Sequence, residues 1–312
     1  MPINSLEFAT KFTGEVDKQL NHKSVTAFME DSGFKAKFVG AKTVMIPEVD
    51  MLALGDYDRD TGFAKGSVTV SNTAYTLTQD RSREFNIDRE DMDETGVANL
   101  AGEVVSEFNR MKVVPEIDEY SISKVAAVAK AQNHYITTEQ YPIATKAYAA
   151  FDEALTATKE IVGEDMELVA FVSYKYWAAL KSSPEIQKLI VTSDFKNGEV
   201  NREVKSIDNV KFIPVPESRL YSAYDSLDGS AGAEYVGGLT PADTAKKIHL
   251  LILSKDTARR VRKLEKIKIF TPDQNQDMDA WKFQYRLYYD VLIKNSRKAV
   301  PHMLIEDNTP SA

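Results

Sequence analysis

Apolar and polar residues follow two rhythms along this chain, and the switches between them mark its elements. From Leu6 to Met29, Phe8, Phe12, Val16, Leu20, Val25 and Phe28 recur every three to five positions, which predicts an amphipathic helical arm. After Gly40 the spacing shortens. GAKTVMIPEVDML reads as strand, and residues 56–66 (DYDRDTGFAKG) read as a polar connection. In SVTVSNTAYTLTQDRSREFNID, Val68 and Val70, Tyr75 and Leu77, and Phe85 and Ile87 alternate, which predicts a hairpin. Its other positions are polar, and a two-stranded ribbon with little apolar surface is marginal in water, so it needs something to lie on.

Val97, Leu100, Val104, Phe108 and Met111 then draw one stripe along a long helix. Asp91, Asp93 and Glu94 at its start and Arg110 and Lys112 near its end suit the helix dipole, and Pro115 is expected to stop it. A second helical stretch follows over Tyr120–Gln132. Residues 137–254 alternate between helix patterns (from about Ile143 to Ile161, and YKYWAALKSSPEIQKLI) and strand patterns (ELVAFVS, NVKFIPVP, KKIHLLIL), predicting a mixed α/β body. The glycine-bearing stretch SLDGSAGAEYVGGLTP interrupts it as a loop. Near the C-terminus, Trp281, Phe283, Tyr285, Leu287, Tyr289, Val291 and Ile293 occupy every odd position, with Asp290 among the residues of the opposite face. Such a strand would run roughly 43 Å at about 3.3 Å per residue.

With 43% hydrophobic and 28% charged residues, the 312-residue chain has the composition of a folded protein. Its net charge of −8 argues against a nucleic-acid reader that grips phosphates with a basic stripe. The absence of cysteine excludes disulfides, thiolate chemistry and cysteine-ligated metals. Acidic residues interrupt each short apolar run near the N-terminus, unlike a signal or transit peptide, and no apolar stretch is long enough to span a membrane.

Three acidic clusters invite a metal: Asp56, Asp58 and Asp60; Asp88, Glu90, Asp91, Asp93 and Glu94; and Asp273, Asn275, Asp277 and Asp279. Thr61 and Met278 stand where a calcium loop needs its turn glycine, and Ser67 and Gln284 where it needs its bidentate Glu, so the pattern fails at its diagnostic positions. His22, His134, His249 and His302 form no metal-ligand or triad motif, and the glycines at 229, 232, 237 and 238 form no phosphate cradle. No catalytic residue, cofactor or metal site is expected. The charged ribbon with Asp80, Arg81, Arg83, Glu84, Asp88 and Arg89 suits an intersubunit clamp, because arginines pair bidentately with carboxylates.

The order of arm, charged hairpin, long helix, α/β body and long C-terminal strand resembles the major capsid protein of tailed bacteriophages, the Hong-Kong-ninety-seven-type capsid fold. The phrases GAKTVMIPEV, LGDYDRDTGF, TLTQDRSREFNIDREDMDET, EFNRMKVVPEIDEYSISK, NVKFIPVPESR and FTPDQNQDMDAWKFQYRLYYD carry this resemblance, to phages and prophages of Gram-positive hosts. It implies an α+β fold with an N-arm over 1–33, a P-domain strand region over 34–50 and an extended E-loop over 51–90. The spine helix and further P-domain follow over 91–136, an A-domain over 137–254, and long P-domain strands with the C-terminus over 255–312.

The resemblance further implies a non-enzymatic subunit that self-assembles into hexamers and pentamers of an icosahedral head in the virion, assembled in the host cytoplasm. Such a head encloses double-stranded DNA without sequence-specific binding. Because the chain starts directly at the arm, a separate scaffolding protein is expected, with a portal protein and a decoration protein as further partners. Phe8, Phe12, Asp80, Arg81, Arg83, Glu84 and Arg89 are the expected intersubunit contacts. The alternatives are an encapsulin-like nanocompartment shell and, from another class, a cation-dependent hydrolase using the acidic clusters.

Overall fold

The computed structural model describes residues 24–30, 37–40, 42–60, 62–63, 65–90, 105–138, 144–164, 166–183, 191–197, 200–230 and 236–306. At its centre is a seven-stranded mixed sheet. Its strands are β5 (Tyr135–Thr138), β6 (Leu168–Ser173), β7 (Val191–Asn197), β8 (Val200–Ile207), β9 (Val210–Val215), β12 (Ile248–Ser254) and β15 (His302–Glu306), in the order β5-β15-β12-β6-β9-β8-β7. β6 and β12 are buried at every position, as expected of apolar runs covered on both faces. Two helices, α2 (Ala144–Val162) and α3 (Tyr174–Ser182), pack on one face around Phe151, Trp177 and Phe212. Ser173 caps α3, its hydroxyl accepting from the Tyr176 N–H at 3.2 Å. β15, placed by the resemblance with the P-domain strands, lies instead between β12 and β5, because its five residues are all buried and need cover on both faces.

The long helix α1 (Val114–Ala131) crosses the other face, where Ile122, Val125, Ala126 and Ala129 meet Val169, Phe171 and Leu251. Pro115 does not stop this helix. The chain is already helical at Val105, passes through a π turn over Asn109–Val113, and continues to Ala131. In the wider turn the Val114 N–H bonds the Asn109 carbonyl, so Pro115, which has no N–H and would crowd the carbonyl four residues back, is carried in the first turn of the α segment. The two helices expected on either side of Pro115 are therefore one rod.

The rest of that rod packs on a three-stranded sheet of β13 (Ala258–Phe270), β14 (Ala280–Ile293) and β4 (Gln79–Asp88), in the order β13-β14-β4. Phe283, Tyr285, Leu287 and Tyr289 of β14 face the helix, while Tyr288 and Leu292 face a different cluster containing Val44, Ile46 and Leu77. β14 is thus a wall between two cores. Asp290, read from alternation as outward-facing, is 1% exposed and accepts from the Thr78 N–H (2.9 Å), the Thr78 hydroxyl (2.9 Å) and the Tyr120 hydroxyl (2.8 Å).

The expected hairpin over residues 67–88 does not form. β3 (Val68–Thr76) pairs with β2 (Thr43–Met51), whereas β4 pairs with β14 from Ala280 to Tyr289. Alternation shows which residues share a face, but not which strand lies alongside. The link between β3 and β4 holds no glycine or asparagine to reverse it, and Leu77, 2% exposed, draws the chain through the core. The projecting ribbon is accordingly β2–β3, with a three-residue strand β1 (Lys37–Val39) at its base. Residues 79–88, assigned to the E-loop by resemblance, belong to the body.

Candidate assembly interface

The base of the β2–β3 ribbon is firmly rooted. Val44, Ile46 and Tyr75 pack with Tyr288, Leu292 and Val261. One step outward, Glu48 accepts hydrogen bonds from the Thr73 hydroxyl (2.9 Å) and the Asn295 side-chain amide (3.2 Å). The Thr73 hydrogen bond is the largest influence on the Glu48 carboxyl, which lies below its ordinary pKa. Past Glu48 the described side chains leave the body.

Met51, Leu52, Leu54, Tyr57, Phe63, Val68 and Val70 are each more than 60% exposed, Leu54 fully so. Met51 stands directly opposite Val68, and Val70 lies two residues further along the same face. The tip is preformed: Gly62 donates its N–H to the Asp58 carbonyl at 2.8 Å, and the Tyr57 and Phe63 rings meet edge to face at 5.1 Å. Gly62 has φ of +81°, the left-handed conformation that glycine adopts without a Cβ penalty. Asp58, from the first acidic cluster, accepts from the Asp60 N–H at 2.7 Å and builds the turn. An apolar surface of this extent on an outstretched ribbon is unlike the scattered apolar residues of a monomer's surface and is the mark of a contact site.

The predicted contact residues lie elsewhere. Phe8 and Phe12 are outside the described residues. Asp80 forms a two-pronged pair with Arg286 (2.9 and 2.7 Å), which holds its carboxyl below the usual range. Glu84 accepts from Gln284 (2.7 Å) and sits 3.5 Å from Lys282, and Arg89 lies 3.8 Å from Asp279. Asp80 and Glu84 bind β4 to β14, and Arg89, just past β4, lies against the turn before β14.

Arg81 makes a junction within the chain. It donates to Glu116 of α1 (2.6 Å), to the Ser226 hydroxyl (2.6 Å), and to the carbonyls of Leu227 and Gly238 (both 3.0 Å). Ser226 and Leu227 belong to β10 (Tyr224–Leu227) and Gly238 to β11 (Gly238–Pro241), an antiparallel hairpin that frames the glycine-bearing stretch. Arg83 lies against the same hairpin; a Cβ on Gly229 would come within 2.9 Å of its guanidinium. Arg81 clamps a hairpin of its own chain to the rod. Sequence alternation found the arginines but could not show that the hairpin carbonyls bonded by Arg81 lie about 150 residues away.

Between the rod, β4–β14 and this hairpin lies a cleft of about 560 Å³ with Arg83, Met111, Glu119, Val236 and Tyr285 among its walls. Burial pushes the Glu119 carboxyl up to about 7, with Glu116 and Asp118 adding to the shift and Arg219 opposing it. Asp118, 0% exposed, accepts from the Ser24 hydroxyl (2.6 Å), the Thr26 hydroxyl (2.7 Å) and the Val25 and Thr26 N–H groups (both 3.2 Å), fixing the turn at the foot of the N-terminal segment. Among the described residues no three acidic or histidine side chains gather to hold a metal ion, and no helix is long and apolar enough to cross a membrane. Asp277, another metal candidate, is paired with Lys282 at 2.6 Å.

No family model and no curated protein sequence matches the chain. Solved structures do. The mature capsid of bacteriophage PhiM1 aligns over 90% of both chains at 14% identity with a TM-score of 0.57. The capsid of cyanophage P-SCSP1u aligns over 88% of this chain and 86% of that one, at 10% identity and a TM-score of 0.57. A virus-like particle from Pyrococcus furiosus aligns over 96% and 99%, at 9% identity and a TM-score of 0.51. The chain has the α+β fold shared by these shell proteins.

Proposed function

We propose that this protein is the subunit of a closed shell, a phage major capsid protein that assembles as hexamers and pentamers around double-stranded DNA. One observation carries the reading: a body with the capsid fold extends a preformed ribbon whose exposed apolar residues are left uncovered by the described residues of their own chain. A ribbon on one side of a subunit and a different receiving surface on the next make a head-to-tail contact, which closes into rings. The net charge of −8 fits a container wall that repels packaged DNA weakly and lets it slide. A scaffolding protein, a portal and a decoration protein belong to this proposal as partners, and the virion as its location. No step of it calls for catalysis.

The full-length match to the Pyrococcus furiosus virus-like particle favours a second reading, a nanocompartment shell around a protein cargo. Electron microscopy of the protein expressed alone and with a scaffolding partner tests the class. Closed particles tens of nanometres across support a shell, and a solely monomeric protein under every condition refutes it. Nuclease-protected DNA inside particles from infected or induced cells supports the head, and a co-purifying enzyme in place of DNA supports the compartment.

A further inference from the structure

The outer edge of β3 departs from the rules that keep sheet edges from pairing. β3 is an edge strand among the described residues, nine residues long, with the sequence VTVSNTAYT. Monomeric proteins blunt such edges with charges, prolines or bulges. The sister strand β2 carries Pro47, Glu48 and Asp50, whereas β3 has neither a charge nor a proline. Its backbone groups are aimed outward in a definite order. The Leu77 N–H bonds the Lys42 carbonyl at 2.8 Å, one step before the Thr43–Thr76 pair. Hydrogen-bonded and non-bonded pairs alternate in an antiparallel ladder, so Pro47–Asn72 is a non-bonded pair, as suits a residue without an N–H. The N–H and C=O groups of Val68, Val70, Asn72 and Ala74 therefore face the free edge, and those four residues are exposed.

We infer that β3 pairs with β3 of a second copy, antiparallel about a two-fold axis at Asn72, joining two ribbons into one four-stranded sheet. The sequence is self-complementary in that register. Val70 meets Ala74 and Val68 meets Thr76 on one face, while Ser71 meets Thr73 and Thr69 meets Tyr75 on the other. Asn72 meets its own copy, and no like charges are opposed. The same residues serve both copies, as a two-fold contact requires. The inference rests on the shell reading, and it adds a symmetric contact to the head-to-tail one.

The chain has no cysteine, so Asn72→Cys introduces a single thiol. Across a bonded antiparallel pair the Cα atoms lie about 5.5 Å apart, within reach of a short bismaleimide. Treated particles of N72C should run as covalent dimers, with no higher multimers, in denaturing electrophoresis. Particles that form normally and yield only monomers overturn the edge pairing while leaving the shell reading intact; wild-type protein that never forms particles, with N72C uncrosslinked in solution, overturns both. Charge gives a second readout. Asn72→Lys or Asn72→Asp alone sets like charges face to face and should lower particle yield at least tenfold, and mixing the two variants should restore it. An N72K variant that assembles at the wild-type yield refutes the pairing.

Discussion

Replacing Leu54 and Phe63 with serine tests the ribbon directly. Phe63 is 85% exposed and Leu54 fully exposed, so neither contributes to the core, and the double variant should unfold within about 0.5 kcal/mol of the wild type. In a shell both side chains would be covered. Fully burying a Leu or Phe side chain stabilises by about 1.5–3 kcal/mol, so the pair forfeits about 3–6 kcal/mol per ribbon. At 1.4 kcal/mol per tenfold, that is about a hundredfold to ten-thousandfold in the association constant of each contact. Light scattering across a concentration series reads this as a higher threshold for particle formation, and thermal denaturation of the unassembled subunit supplies the control. An unchanged melting temperature with an unchanged threshold would show that the tip stays in solvent after assembly, and the argument from exposed apolar surface would fail.

Arg81→Ala should cost about 1–3 kcal/mol, since it strands Glu116 and two hairpin carbonyls, and hydrogen exchange should rise at residues 224–227 and 238–241. Lysine at this position should not restore protection, because it cannot reach four acceptors from a planar fork. Asp118→Ala leaves buried donors at Ser24, Val25 and Thr26 unmet and should cost about 3–5 kcal/mol, with earlier protease cleavage around residues 24–30. Glu119 carries a raised folded pKa of about 7 against an ordinary 4.5, so the folded chain holds its proton more tightly. That contribution to stability is complete below pH 4.5 and lost as the pH rises through about 7. Urea titrations at several pH values should show Glu119→Gln removing this decline and exceeding the wild type at pH 8; identical pH profiles would refute it.

The sequence disclosed most of the body. Runs such as LVAFVS and IHLLILS have to be strands covered on both sides, and the odd-numbered stripe from Trp281 to Ile293 announces β14. Its alternation misleads at Asp290, because the strand is buried on both faces over its last residues and the carboxylate is satisfied by Thr78 and Tyr120, which are distant in sequence. Pro115 read as a terminator because propensity rules assume an α ladder, and a π turn lies outside that assumption. The expected contact residues and the exposed apolar ones fall on different strands for a related reason. Charge density drew attention to Arg81 and Arg83, the first of which is bonded within its own chain, while Leu54, Phe63, Val68 and Val70 look like ordinary strand and loop residues until the fold of the described residues leaves them exposed. One local feature stands out: VTVSNTAYT carries no charge, an unusual omission for a strand that lies at an edge among the described residues.

The fastening at Glu48 works like the clamped end of a cantilever. Inboard of it, Val44, Ile46 and Tyr75 are built into the wall formed by β14; outboard, among the described residues, no side chain is locked into the body. Tilting the outer ribbon therefore breaks nothing in either core, and its elastic cost falls on a short stretch of twisted two-stranded sheet. A beam of that kind allows one polypeptide to meet neighbours at more than one inclination, which a curved surface tiled by identical pieces demands at its corners and its flats.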